Sequence, residues 1–126
     1  MMKNVVESKK APAPIGPYSQ AIWANDILFV SGQVAIDREN GAMITNEIKE
    51  ETHQVMKNLG NILEEAGLNF ENVVKCSIFV KDMGNFQAIN EAYGSYFGAI
   101  PPARETVEVS ALPKNVNVEI SCIAIK

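Results

Sequence analysis

Helical spacing is confined to two stretches of this chain, and its other apolar residues fall in runs with the period of strands. From Glu47 to Ala66, the residues Ile48, Val55, Met56, Leu59, Ile62, Leu63 and Ala66 recur three and four positions apart. That spacing puts them on one face of an amphipathic helix, and Gly67 follows as a C-terminal cap. A second helix is expected from Asn85 to Phe97, presenting Phe86, Ile89, Tyr93 and Phe97. Ala21–Ala24 and Ile27–Ser31 flank Asn25-Asp26 and read as a β-hairpin. Val73–Lys81 reads as a strand, and Arg104–Val109 and Val116–Ile125 as two closing strands split by a turn at Leu112–Asn115. Asp37–Gly41 is a loop. The order is β-β-α-β-α-β-β, with room for a short strand near Val5.

Two helices can cover only one face of such a sheet. Strand alternation places Val118, Ile120, Cys122 and Ala124 on one face of the final strand. Asn117, Glu119, Ser121, Ile123 and Ile125 fall on the other. In the middle strand, Val74, Cys76, Ile78 and Val80 form an apolar face, opposite Val73, Lys75, Ser77 and Phe79. The second face is too apolar at Phe79, Ile123 and Ile125 to meet water throughout, so it reads as a subunit interface.

At 126 residues the chain has the length of one domain, taken as 1–126. Its formal net charge of −4 argues against nucleic acid as a partner, because phosphate recognition needs clustered Lys and Arg. Lys9-Lys10 is the only adjacent basic pair and reads as a solvated loop. Cys76 and Cys122 sit far apart in apolar runs and are expected to be buried free thiols, neither redox motif nor zinc ligands. The first residues lack the apolar core of a secretory signal, and no stretch is long enough to span a bilayer. A cytoplasmic location and no membrane partner are therefore expected.

Absences narrow the chemistry further. The one histidine, His53, shares a helix face with Lys49 and Lys57 and reads as solvated. No metal set, dinucleotide fingerprint or phosphate loop is present, so neither metal nor cofactor is expected. Three segments remain: Pro14–Ala21, with Gly16 between two prolines and Tyr18 beyond; Ser31-Gly32-Gln33 at a strand end; and Pro101-Pro102-Ala103-Arg104, with Glu119 on the strand taken as its neighbour. Each also has a plain reading, as a turn, a chance tripeptide and a salt bridge.

Together the segments resemble, in order and over nearly the whole chain, the RidA (YjgF) family of reactive-intermediate imine deaminases. The matching pieces are Ala13–Ala21, Ser31–Gln33, Val80–Asp82, Pro102–Arg104, Val107–Val109, Leu112–Lys114 and Val118–Ile120. The resemblance implies an α+β, chorismate-mutase-like (bacillar) fold: a mixed β-sheet with two helices packed on one face. It also implies a homotrimer with sites between subunits, and cofactor-free hydrolysis of 2-imino acids to 2-keto acids and ammonia. Carried over by position, Arg104 grips the substrate carboxylate and Glu119 activates water. Tyr18, Ser31, Gly32 and Asn90 line the pocket, Tyr18 arriving from an adjoining subunit. Active members often carry cysteine two positions after the arginine; Thr106 stands there in this chain and keeps a hydrogen-bonding group. The same resemblance admits a non-catalytic carboxylate-binding or chaperone-like trimer, and a ribonuclease or translation inhibitor, a label some members carry.

Overall fold

A computed structural model describes residues 3–126. Its six strands are β1 (Lys3–Val6), β2 (Ala21–Ala24), β3 (Ile27–Gln33), β4 (Val73–Val80), β5 (Ala103–Glu108) and β6 (Val118–Ile125). Two helices, α1 (Ile48–Glu65) and α2 (Phe86–Gly94), complete the fold. The strands form one mixed sheet in the order β1-β2-β3-β6-β4-β5. Only the β4–β5 pairing is parallel; the others are antiparallel.

Local chemistry accounts for the boundaries. The β2–β3 hairpin turns on Asn25, which holds a left-handed φ of 55° that asparagine tolerates. Helix α1 ends where Gly67 adopts φ +79°. There the Gly67 N–H donates to the Glu64 carbonyl and the Leu68 N–H to that of Leu63, at 2.9 and 2.8 Å, the bond pattern of a Schellman cap. Helix α2 stops at Gly94, short of the expected Phe97. The N–H groups of Tyr96 and Phe97 reach back only three residues, to Tyr93 and Gly94, and that tightening unwinds the last turn. Phe97 still packs against the core.

Both helices lie on one face of the sheet. Between them and it are buried Val55, Met56, Leu59, Ile62 and Leu63 of α1, Ile89 of α2, and the alternate residues Cys76, Ile78, Val80, Val118, Ile120, Cys122 and Ala124. The alternation expected along β6 holds. In β4 it holds from Lys75 onward but inverts at the start. Val73 pairs with Ala124 and Lys75 with Ile123, so Val74 is an extra residue opposite no partner. This bulge sends Val73 into the core and leaves Val74 42% exposed.

The helix α1 stripe also carries polar residues that the apolar period passes over. Glu51, Thr52 and Asn58 are all fully buried. The Glu51 carboxylate accepts the Asn117 backbone N–H at 2.8 Å and its side-chain amide at 2.7 Å, tying α1 to the entrance of β6. The Asn58 amide donates to the carbonyls of Val34 and Ile36, both at 3.0 Å. Buried groups satisfied in this way fix where the helix sits on the sheet.

The two closing strands are not neighbours. After α2 crosses the sheet, β5 returns parallel to β4 and becomes the edge, and β6 inserts on the other side of β4, beside β3. A helix between two strands of one sheet brings the second back parallel. Lys114 and Asn115 then take left-handed φ values of 56° and 57° as the chain turns from β5 toward β6.

Candidate functional site

The proline-rich segment is an ordered wall because of one side chain. Gln20, 1% exposed, accepts the Ser8 N–H through Oε1 at 2.7 Å. Its amide nitrogen donates to the carbonyls of Ser8, Ala11 and Pro12, at 3.1, 3.3 and 2.8 Å. Pro12 and Pro14 limit the backbone in between, so Ile15 and Tyr18 are carried out over the end of β3.

There β3 has its own irregularity. Val30 pairs with Cys122 and Gln33 with Ile120, so two residues, Ser31 and Gly32, oppose the single Ser121. The Ser31 hydroxyl donates to the Ser19 carbonyl at 2.6 Å and the buried Gln33 amide to the Ser31 carbonyl at 3.2 Å, which hold the bulge. Bulges re-aim backbone next to sites. Here the bulge sets Gly32 against the Glu119 side chain, where a Cβ would stand 2.7 Å from Oε2.

A cavity of about 470 Å³ opens at this point, lined by Tyr18, Ser31, Gly32, Gln33, Lys114 and Glu119, with Pro12, Ala13, Ile15, Val34, Ile36 and Pro113 as its apolar wall. That volume suits a small-molecule ligand. Burial pushes the Glu119 carboxyl above the ordinary carboxylate range, since a desolvated carboxylate is disfavoured. Lys114, at the end of the Leu112–Lys114 motif, reaches the cavity through its left-handed backbone.

Arg104 lies in a second cluster. Its guanidinium donates to Asn90 Oδ1 at 2.6 Å. It also stands over the rings of Phe86 and Tyr93, at 5.6 and 5.3 Å from their centroids. Residues 86, 90 and 93 are spaced four and three apart, one stripe of α2. Cation–π contacts of this kind contribute about 0.5–1 kcal/mol each. Thr106, two residues along β5 and on the same face, has a buried hydroxyl with no hydrogen-bond partner, as does Tyr93. The guanidinium itself remains exposed.

The seven expected residues therefore form two groups. Tyr18, Ser31, Gly32 and Glu119 line one cavity of one chain, while Arg104, Asn90 and Thr106 gather elsewhere. Strand register shows the separation: Arg104 pairs with Cys76 and Glu119 with Phe79. Cys76 and Phe79 are three positions apart on β4 and point to opposite faces. Within one chain it is thus Arg104, not Tyr18, that stands apart from Glu119. His53 is not simply solvated either. Its Nδ1 is hydrogen-bonded to the Tyr96 hydroxyl at 2.9 Å, and the two rings sit 5.6 Å apart. Among the described residues, no group of His, Cys, Asp and Glu could hold a metal ion, and no helix is long and apolar enough to cross a membrane.

Comparison with known proteins defines the class to which this fold and cavity belong. The model of the Endoribonuclease L-PSP family matches residues 8–126. The chain is 49% identical to a RutC family protein of Pyrococcus abyssi over 126 residues, covering 100% of this chain and 99% of the relative. It is 43% identical to the mouse (Mus musculus) 2-iminobutanoate/2-iminopropanoate deaminase, covering 100% of this chain and 93% of that one. A crystal structure of a Rid-family protein of unknown function from Yersinia pestis superposes with a TM-score of 0.96 at 48% identity, covering 99% of this chain and 100% of that one. The protein belongs to the L-PSP endoribonuclease family, the family of the Rid and RutC proteins.

Proposed function

We propose that this protein hydrolyses reactive 2-imino acids, such as 2-iminobutanoate and 2-iminopropanoate, to 2-keto acids and ammonia. The observation that carries the reading is the half-buried Glu119 carboxyl, held against Gly32 in a cavity that Tyr18 and Ser31 also line. The name and 43% identity of the mouse deaminase support it. A protonated imine carbon is already electrophilic, so the reaction needs no covalent nucleophile. Ionised Glu119 takes a proton from water as the water oxygen bonds to the imine carbon. Protonated Glu119 returns that proton to the amino group of the resulting carbinolamine. The C–N bond then breaks, the hydroxyl gives its proton to Glu119 as the carbonyl forms, and the released ammonia carries the remaining proton away as ammonium. General-base assistance of this kind contributes on the order of 10²–10⁴-fold.

The substrate carboxylate falls to Arg104, whose forked guanidinium suits bidentate pairing. Arg104 and Glu119 occupy opposite faces of one sheet, so the complete site forms between copies: Arg104, Asn90 and Thr106 of one, and Tyr18, Ser31, Gly32 and Glu119 of the next. A homotrimer of the chorismate-mutase-like kind provides that arrangement. The uncovered sheet face supports association, with Ile27, Phe29, Val74, Val107 and Ile125 each at least 40% exposed.

The test is an imine-hydrolysis assay, with a dehydratase generating the imine and semicarbazide competing for it. Wild-type protein should accelerate keto-acid release, and Arg104→Ala at unchanged fold should abolish the acceleration. Tight binding of a 2-keto acid with no acceleration by the wild type would replace the enzyme with a carboxylate-binding protein.

A further inference from the structure

On the other side of α1 from the sheet core lies a groove of about 570 Å³ in which every lining residue is charged or an amide. Three segments build it. Lys9 and Lys10 come from the chain between β1 and β2, Asp37-Arg38-Glu39 from the loop after β3, and Gln54, Lys57 and Asn61 from one stripe of α1. The groove thus gathers four cationic side chains in a chain that has 11 Lys and Arg and a net charge of −4.

Side-chain bonds to backbone hold these segments together, not counter-charges. The Asn61 amide donates to the Lys10 carbonyl at 3.2 Å and the Arg38 guanidinium to the Ala11 carbonyl at 2.5 Å. Asn58 fastens the chain leading to Arg38 through its bonds to Val34 and Ile36. Gln54 donates to Asn58 at 3.0 Å. The amides are thus spent on fixing the groove, which leaves the ammonium groups to face a ligand.

Glu7, Glu64 and Glu65 line the adjoining cleft, which shares Lys9, Lys10 and Asn61 with the groove, but of these only Glu64 comes within salt-bridge distance of a groove cation. Lys9 and Lys57 have no carboxylate within salt-bridge distance among the described residues. Lys10 has Glu64 at 3.9 Å, with both side chains more than 70% exposed, a pair worth little in water. The Asp37 carboxylate is engaged in its own turn, accepting the Glu39 N–H at 2.9 Å. Against four cations the groove sets two carboxylates, Asp37 and Glu39. Like charges gathered along one groove favour an anion that can bridge them.

We propose that this groove binds a small diphosphate-bearing anion, the shared chemistry of inorganic pyrophosphate and a nucleoside diphosphate. A diphosphate has enough charge and span to meet ammonium groups from more than one segment, with Arg38 placed for charge-assisted bonds to phosphate oxygens. The groove's size matches one small ligand. No aromatic ring lines it, so the stacking that holds single-stranded nucleic acid is missing. The site is independent of the imine-hydrolysis reading, since none of its residues lines the Glu119 cavity.

Calorimetric titration at low ionic strength tests this with inorganic pyrophosphate, ADP and a single-stranded RNA oligonucleotide as probes. Pyrophosphate and ADP should bind with Kd below about 1 mM, ADP the tighter only if its nucleoside adds contacts. The exposed double substitution Lys9→Ser/Lys57→Ser should weaken pyrophosphate at least about tenfold. Lys3→Ser/Lys126→Ser, which removes the same charge elsewhere, should change it less than about twofold. The proposal fails if neither diphosphate binds, or if the two double variants weaken binding equally. It also fails if RNA binds tighter than both and loses its affinity in the groove variant.

Discussion

Gly32 and Glu119 touch across the β3–β6 seam so closely that a methyl group on Gly32 would stand 2.7 Å from one carboxylate oxygen and 2.8 Å from the carboxyl carbon. The contact is with the carboxylate end of the side chain, the end the proposed reaction uses, so substitution should displace chemistry more than fold. Gly32→Ala should lower kcat/KM for imine hydrolysis on the order of 10²-fold, with a urea midpoint close to wild type. Activity within twofold of wild type would remove Glu119 from the reaction.

The proposed division of the site between copies predicts complementation. Arg104→Ala and Glu119→Gln should each be inactive alone. Refolding an equal mixture should restore about one quarter of wild-type activity, because random assembly gives that share of interfaces both intact residues. If both residues served one substrate from the same chain, the mixture would stay inactive. Sizing of the purified protein gives the number of copies directly.

With Glu119 as the proposed general base, its raised pKa sets the expected pH profile. A general base must be ionised, so kcat/KM should rise with pH through a midpoint above the ordinary carboxylate range and fall away on the acid side. The linkage to stability has the opposite sign. The fold favours the protonated carboxyl, so its contribution is fully present at low pH and is lost as pH rises through the folded value. Glu119→Gln should flatten both dependences; paired rate and urea-denaturation series at several pH values would show it.

Glu51 is a structural carboxylate, although it sits among charged neighbours in the sequence. Glu51→Ala leaves the Asn117 N–H and amide without their acceptor and should destabilise by about 1–3 kcal/mol. Chemical denaturation would detect this. Tyr93→Phe offers the contrast: it removes a buried hydroxyl that has no hydrogen-bond partner and keeps the ring under Arg104. It should cost less than about 1 kcal/mol.

Cys76 and Cys122 face each other across β4 and β6, both buried and free. Burial raises both thiols above their usual pKa, and the neighbouring Cys76 adds to the effect on Cys122. A disulfide reagent should therefore label the native protein roughly 100-fold more slowly than the urea-unfolded chain. Fast labelling of the native state would contradict this burial.

Periodicity in the sequence locates both helices and the strand runs, because spacing alone determines which residues share a face. Single-residue insertions are invisible to it. Val73 and Val74 are chemically identical, and only the bulge decides which is core. The sequence likewise gives no sign that β6 pairs beside β3, since adjacency in chain order suggests a β5–β6 neighbourhood, whereas β6 inserts between β3 and β4. Chain order therefore sets Arg104 and Glu119 on neighbouring strands, whereas the register places them on opposite faces of the sheet. The candidate residues themselves were legible through short motifs. Their grouping was not, because it depends on register and on long-range bonds such as those of Gln20. The polar anchors Glu51 and Asn58 were hidden for a related reason: a buried polar residue looks like a solvated one until its partner, tens of positions away, is known.

The place of β6 has a further consequence for how this protein is made. The meander β1-β2-β3 and the pair β4-β5 share no strand pairing; β6 alone joins them. On a ribosome, both halves emerge before their connecting strand does, each with an apolar edge and unpaired backbone groups. Such edges invite misassembly, and the sequence separation between β3 and β6 slows their repair. A chain cut ahead of Val118 would therefore be two unjoined half-sheets. A peptide spanning residues 117–126, supplied in trans, is the piece that should unite them.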